Sequence, residues 1–551
     1  MEKNASAAGS VEDAKGVYPD IAIIDASQET DRPAQTSSTV RGLTLKHIQL
    51  IGIGSTIGTG LFLGCGRSLI AAGPLGSLLA YLIFCAICWG VCLGAGEMGS
   101  FKPVPGGFIS WAGDYVDPAA SFAVGWNYFY AGTMFGCADI VGVAGLFGYW
   151  LPDVTPAAWI TMSIVIIFCL NAFHVKFYGE SEFYFASLKI ILIVMLILMA
   201  FIVMLGGNPQ HDRIGFRYWK DPGPWASYYK QGALGRFLGF WNVFKIAAYS
   251  VGGPEFVSMC AGETVWPRRN IPKAVKGVLF RLTLFFFFGI LACGVLVPYN
   301  DPLLAKAIKS GVGADASAYV VGMKRVGIKV LPDVFNAMVI TSALSCANGF
   351  AFVGSRVVHS LAVRGQAPKI FARTTKHGVP IYALLVVLAI FCLCYMQVST
   401  NAATVFGWFI NLSSVAQLLN YVAMTITTLR FRAGLKAQGI SRHDLPWTTK
   451  YTIPYSWFCL VMLTLIVLTQ GWTVFVHGGW DVQNFLTCYF GIGFVFVAYF
   501  GWKLWHKTKI IKTDEMDFKS FVPEFDALDD EYRAAHKVPT TAIGRAFDRM
   551  F

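Results

Sequence analysis

The sequence predicts an all-α polytopic membrane protein of twelve transmembrane helices, built as a five-plus-five inverted repeat with broken helices 1 and 6. Three observations predict it: the composition, the spacing of the apolar runs, and glycine-rich interruptions inside two of them. Of 551 residues 55% are hydrophobic and 14% charged, with 44 Phe and 16 Trp, a mixture that a soluble domain of this size could not keep in solution. Runs of about 20 apolar residues, enough to cross about 30 Å of hydrocarbon, recur near residues 45–70, 74–98, 119–147, 156–173, 181–206, 237–263, 275–298, 332–362, 379–396, 402–428, 453–476 and 484–505. Hydrocarbon satisfies no exposed backbone group and the runs lack an alternating pattern, so they are helices and not barrel strands.

The elements follow in order. Residues 1–40 form a polar tail with no secretory signal pattern, so the first spanning helix is expected to act as an uncleaved signal anchor. Residues 41–505 carry the twelve helices and 506–551 a second polar tail. The loops after helices six, eight and ten hold clusters of Lys and Arg, including Arg268, Arg269, Arg364, Lys369, Arg430 and Arg432, whereas those after three, nine and eleven hold none. Cytoplasmic loops carry the positive excess, which puts both termini in the cytoplasm and requires an even helix count. The net charge of +12 has the same origin and implies no nucleic-acid partner. The 13 Cys lie almost entirely in spanning segments; Cys85, Cys88 and Cys92 have no second half to complete a zinc site, and packing explains them. The sequon at Asn411 falls inside helix ten and is fortuitous.

Helix one contains "GIGSTIGTGLF", four glycines between Gly52 and Gly60, although glycine costs about 1 kcal/mol against alanine in a helix interior. A phosphate-cradling loop is excluded by the missing strand, the missing lysine and the wrong spacing. Close helix packing through Gly54 and Gly58 is a second reading. The third is a broken helix whose freed amides bind an anion and whose freed carbonyls bind a cation, and it demands a partner break. Helix six supplies one at Gly252, Gly253 and Pro254, since proline removes a backbone donor and clashes with the preceding turn. Two breaks five helices apart are the footprint of an inverted repeat with the ligand between them. Amides for a carboxylate and carbonyls for an ammonium group suit an α-amino acid. No HExxH or GxSxG cluster in suitable context points to an enzyme.

Four stretches, "HIQLIGIGSTIGTGLF", "GGPEFVSMCAGETVWPRRNIPKAV", "ALSCANGFAFVGSRVVHSLAVRGQAPKIFARTTKHGVP" and "VFGWFINLSSVAQLLNYVAMTITTLRFR", are similar to the fungal amino-acid permeases of the amino acid-polyamine-organocation superfamily, over residues 41–505. The resemblance implies a proton-coupled amino-acid importer of the plasma membrane working by alternating access, with no cofactor and no metal. It assigns the amides of Thr59 and Gly60 to the substrate carboxylate, with Gly58 allowing close approach. It assigns carbonyls near Thr56, Tyr249 and Gly252 to the ammonium group, counts Gly253 of the second break among the substrate-binding residues, and makes Tyr249 an outer gate, with packing as the alternative. Lys189 is expected beside the broken first helix, in proton coupling or as structural glue. Glu255 resembles the family glutamate, a proton carrier or the centre of a hydrogen-bonded network; shielding from water lets a carboxyl exchange its proton near neutral pH. Glu182 is a further proton-coupling candidate, although Glu182 and Glu97 sit near helix ends where a structural role is the alternative.

Two residues are less typical. Asp139 stands where the family more often shows a proline followed by a glutamate or glutamine. Lys245 lies one turn before Tyr249 and either receives a substrate's side-chain carboxylate or pairs with Asp139. Together with "GNPQHDRIGFRYWKDPGPW", which is similar to the dicarboxylic branch, Lys245 directs the expectation towards glutamate and aspartate, with neutral or broad specificity as the alternative. Ser342, Ser345 and Asn348 share a helix face, and Trp408 and Phe409 beside Asn411 and Ser413 are expected at the side-chain pocket. The tails, including Lys3 and Lys15, are implied targets of ubiquitin-ligase machinery. The remaining partners are the amino acid, protons and the lipid bilayer. A transport-inactive sensor and a channel are the rival functions.

Overall fold

The computed structural model describes residues 45–54, 57–172, 175–376, 378–476 and 478–535; Thr56, Lys3 and Lys15 lie outside them. Among these residues the chain is helical without strands: α1 (Leu45–Gly54), α2 (Thr59–Phe62), α3 (Gly64–Phe101), α4 (Gly107–Tyr115), α5 (Pro118–Phe147), α6 (Pro156–Ala172), α7 (Val175–Leu205), α8 (Arg217–Lys220), α9 (Gly232–Ser250) and α10 (Pro254–Met259). Then come α11 (Pro267–Leu296), α12 (Pro302–Ser310), α13 (Ala318–Arg325), α14 (Leu331–Val363), α15 (Ile381–Phe391), α16 (Met396–Ser399), α17 (Ala402–Ala437), α18 (Thr452–Thr469), α19 (Val482–His506) and α20 (Val522–Ala535). Among the described residues nine helical segments are long and apolar enough to cross a membrane. The expected count of twelve rests on three further segments outside those nine: the 17-residue α6 and the two interrupted pairs, α1 with α2 and α9 with α10.

Local chemistry explains the boundaries. Helix α3 folds back at Gly73–Pro74, so its first turns continue the first span and the remainder is the second. The loop from Pro224 to Ala226 seals that corner, with Ala226 donating to the Ala72 carbonyl at 3.1 Å and Leu75 to that of Pro224 at 3.0 Å. Asp117, Asn401 and Asp481 cap α5, α17 and α19 by accepting from backbone amides at 2.8–3.0 Å, satisfying donors that a helix start leaves free. Burial alone would raise the Asp117 carboxyl, but Lys503 and the Ala119 amide hold it below the usual carboxylate range.

Helix α5 is the central post. In its most apolar stretch 89% of residues are buried, against 11% in α19, whose Leu486, Phe490, Phe496 and Val497 are exposed as a lipid-facing perimeter requires. Around α5 pack α14 and α17, while α3 is flanked by α9 and α11. All 13 cysteines are free thiols. Asn411 is buried and donates to Thr487 at 3.3 Å. The polar stretch after Trp505 folds back onto the bundle: Phe518 and Phe521 pack against Phe101, and Arg268 pairs with Asp526 and Asp529 of α20.

Candidate functional site

The two interruptions meet. Helix α1 ends at Gly54 and α2 resumes at Thr59; α9 ends at Ser250 and α10 resumes at Pro254. At Gly60 a methyl group would lie 2.7 Å from Ser250 Cα, so only glycine permits this approach of the two backbones. Gly253 has φ 136°, a conformation that side chains disfavour, and Pro254 follows at the first position of α10, where its missing N–H costs nothing.

Between the breaks lies a cavity lined by Gly58, Thr59, Gly60, Tyr249, Ser250 and Gly252 of the interrupted segments, with Asp139, Glu255 and Gln417 as further polar groups. Phe135, Phe256 and Phe350 form its apolar walls. Its volume of about 30 Å³ is less than an amino acid requires, so an aromatic wall must move for a ligand to enter. Tyr249 is the stacked end of that wall: its ring lies 5.4 Å from Phe135, which lies 5.0 Å from Phe350.

A short relay crosses the first break. The Thr59 hydroxyl donates to Asp139 Oδ1 at 2.6 Å and lies 2.6 Å from the Tyr249 hydroxyl. A threonine hydroxyl has one proton; with that proton committed to Asp139, Tyr249 is the donor to Thr59. The Thr59 amide, assigned by resemblance to the substrate carboxylate, also interacts with Asp139. At the second break Glu255 Oε2 accepts from Tyr421 at 2.8 Å and from the Gly253 amide at 3.2 Å. Neither Asp139 nor Glu255 has a hydrogen-bonded cation among the described residues.

Behind α1 sits a second cluster. Lys189, 1% exposed, donates to the Gly54 carbonyl and approaches Cys346 Sγ at 3.2 Å. Cys346 and Ser342 reach the Ile57 carbonyl at 3.4 and 3.2 Å, so α14 and α7 together satisfy carbonyls that the break releases. Ser345 donates to Glu182 at 3.0 Å, and Asn171 to Asn348 at 2.6 Å.

Of the residues singled out from sequence, Gly58, Thr59, Gly60, Tyr249, Gly252 and Glu255 line the cavity. Lys189, Glu182, Ser342 and Ser345 stand behind the first break, and Gly253 shapes the second. Lys245 and Trp408 are outside the lining, and Lys245 forms no ion pair with Asp139. Sequence reasoning missed Phe135, Phe350, Cys346 and Gln417; an uncharged polar residue in an apolar helix, as at Gln417, was the one available signal. Glu97 is elsewhere, bound by Arg432, by Thr448 and Thr452 at 2.9 and 2.6 Å, and by the Thr449 amide at 3.0 Å.

The amino acid permease family matches residues 47–515. A proline-specific permease of Emericella nidulans is 39% identical over 496 residues, covering 89% of this chain and 90% of the relative. A dicarboxylic amino acid permease of Saccharomyces cerevisiae is 36% identical over 498 residues, covering 90% and 82%. A solved manganese transporter of Eremococcus coleocola has a TM-score of 0.54 at 15% identity, covering 84% of this chain and 93% of that one, a likeness of fold.

Proposed function

The chain belongs to the amino acid permease family, and from that premise we propose that it is a proton-coupled importer of small neutral amino acids, proline foremost. It is a transporter and not an enzyme. The observation that carries the substrate reading is the lining of the cavity: backbone at Gly58–Gly60 and Gly252, aromatic walls, two carboxyls, and no Lys or Arg. Glycine-exposed amides suit the α-carboxylate, and Asp139 is the acceptor for the substrate's ammonium protons. A second carboxylate on the substrate would be desolvated beside Asp139 and Glu255 without a counter-charge, which is costly. Phe135, Phe256 and Phe350 supply an apolar wall for an aliphatic side chain.

Proton coupling is supported by the same shell. Glu255 and Asp139 are buried yet held by neutral donors, leaving each free to gain and lose a proton as the cavity opens and closes. Lys189 supplies a fixed positive charge at the Gly54 carbonyl, where a coupling cation would otherwise serve. Plasma-membrane placement, cytoplasmic termini and tails read by ubiquitin ligases complete the proposal, supported by the loop charges and the resemblance.

The glutamate or aspartate reading retains one favourable observation, the cationic Lys245 one turn from Tyr249. Uptake of radiolabelled proline and glutamate by permease-deficient cells, at acid and neutral pH, separates the two. Acid-stimulated proline uptake that a protonophore abolishes and glutamate competes with poorly is the expected result. Glu255→Gln should reach the surface but lose the acid stimulation. Preferential glutamate uptake, lost selectively in Lys245→Met, would return the substrate to the dicarboxylic class. No uptake despite surface expression would indicate a sensor.

A further inference from the structure

Two cations that the cavity does not use lie beyond Tyr249. Arg67, in the first turns of α3, places its guanidinium 5.2 Å over the ring of Phe406, and Phe406 meets Tyr249 edge-on at 6.0 Å. Lys245 precedes Tyr249 by one turn on α9. The two helices touch there: a methyl group at Gly64 would lie 3.2 Å from Ile246 Cγ2. Ser414 of α17 donates to the Lys245 carbonyl at 3.1 Å. Arg67 and Lys245 thus belong to neighbouring turns of α3 and α9, where α17 meets α9.

Both side chains are half-buried. Among the described residues neither has a carboxylate or a hydrogen-bond partner at its charged end; the guanidinium of Arg67 lies over the ring of Phe406. Two like charges brought together out of bulk water repel, and long cationic side chains are rarely buried without an anion. Phe406, Tyr249 and Thr59 stand in succession between Arg67 and Asp139. An anion arriving from outside the bundle would meet two cations that no carboxylate of the chain neutralises.

We propose that Arg67 and Lys245 form an entry site for the substrate's α-carboxylate, occupied before Tyr249 moves and the ligand descends to Gly58–Gly60. The guanidinium presents a planar fork that matches a carboxylate, and the ammonium adds a point charge that speeds capture. Every α-amino acid carries that carboxylate, so the entry site is indifferent to the side chain and selection falls to the aromatic cavity. The inference rests on the amino-acid reading above but not on proline as the substrate.

The test uses the full-length protein in lipid nanodiscs, titrated calorimetrically with cyclopentanecarboxylate, which keeps the ring and carboxylate of proline and lacks the amine. Binding should weaken about tenfold in Arg67→Gln and in Lys245→Gln, the loss of one charge-assisted contact. It should weaken less in Arg67→Lys than in Arg67→Gln, and stay unchanged in the control Lys220→Gln, at an exposed cation outside the site. In cells the same two Gln variants should raise the KM for proline about tenfold with little change in maximal rate. Undiminished binding in the double variant would overturn the proposal, as would equal loss in Lys220→Gln. The same Arg67-dependent heat from chloride alone would also overturn it. If proline is not carried yet cyclopentanecarboxylate binding still depends on Arg67, the entry site stands and the substrate assignment fails.

Discussion

Glu97 and Glu255 are both buried carboxyls, 0% and 4% exposed, yet their surroundings differ in kind. Glu97 accepts from a guanidinium, two hydroxyls and an amide, and its partners belong to α17, α18 and the loop before α18. It staples three helices at one end of the bundle. Glu255 accepts from one phenol and one amide and faces a cavity; Asp139, across that cavity, accepts from Thr59. A carboxylate saturated with donors that include a cation is fixed in charge and position. One held by a few neutral donors beside a cavity can exchange a proton or meet a ligand. The shell, more than burial, separates structural charge from working charge.

The contrast is most easily broken at Glu97. Arg432→Ala leaves that carboxylate buried without its cation, and removing one member of a buried pair costs about 3–5 kcal/mol. The expected outcome is loss of folded protein, read as a lower melting temperature in detergent and poor surface delivery, with no change in substrate preference among survivors. Asp139→Asn should do the opposite. It keeps the shape and the bond from Thr59, so the melting temperature should stay within a few degrees. Uptake should fall by about a hundredfold, because a bond to a charged acceptor contributes about 1.5–3 kcal/mol. Equal melting losses in both variants would show that Asp139 is structural too.

The same contrast explains what the sequence made legible. The two breaks could be read because Gly and Pro inside an apolar run carry a backbone meaning of their own, and residues 45–72 and 232–259 are interrupted where those residues stand. Glu255 was legible because it follows the second break directly. The opposite wall was not: Phe135 and Phe350 are aromatic residues in apolar helices, and nothing in the chain distinguishes a wall from packing. Lys245 was placed near the substrate by counting turns along α9, but turns fix height and not facing. The packing of α9 against α3 and α17 leaves Lys245 outside the cavity lining and unpaired with Asp139. Arg67 had a readable signal, an ionisable residue in an apolar segment, which the glycines beside it overshadowed. Phe518 and Phe521 sit in a polar stretch, so their docking against Phe101 was hidden by composition.

The finest test of the comparison is Tyr421→Phe, which removes one neutral donor from Glu255 and keeps the ring. Losing one hydrogen bond from a neutral donor to a carboxylate costs about 1.5–3 kcal/mol, less than the about 3–5 kcal/mol for losing the Arg432 cation from Glu97. Glu255 retains the Gly253 amide and has Gln417 beside it in the cavity lining. The variant should therefore fold, melt slightly lower, and keep acid-stimulated uptake at a rate reduced less than tenfold. A Tyr421→Phe protein as damaged in folding as Arg432→Ala would mean that Glu255 is anchored as Glu97 is, by a shell that tolerates no loss. A variant that folds normally but loses acid stimulation would instead make the Tyr421 hydroxyl part of the proton's route, joining α17 to the second break.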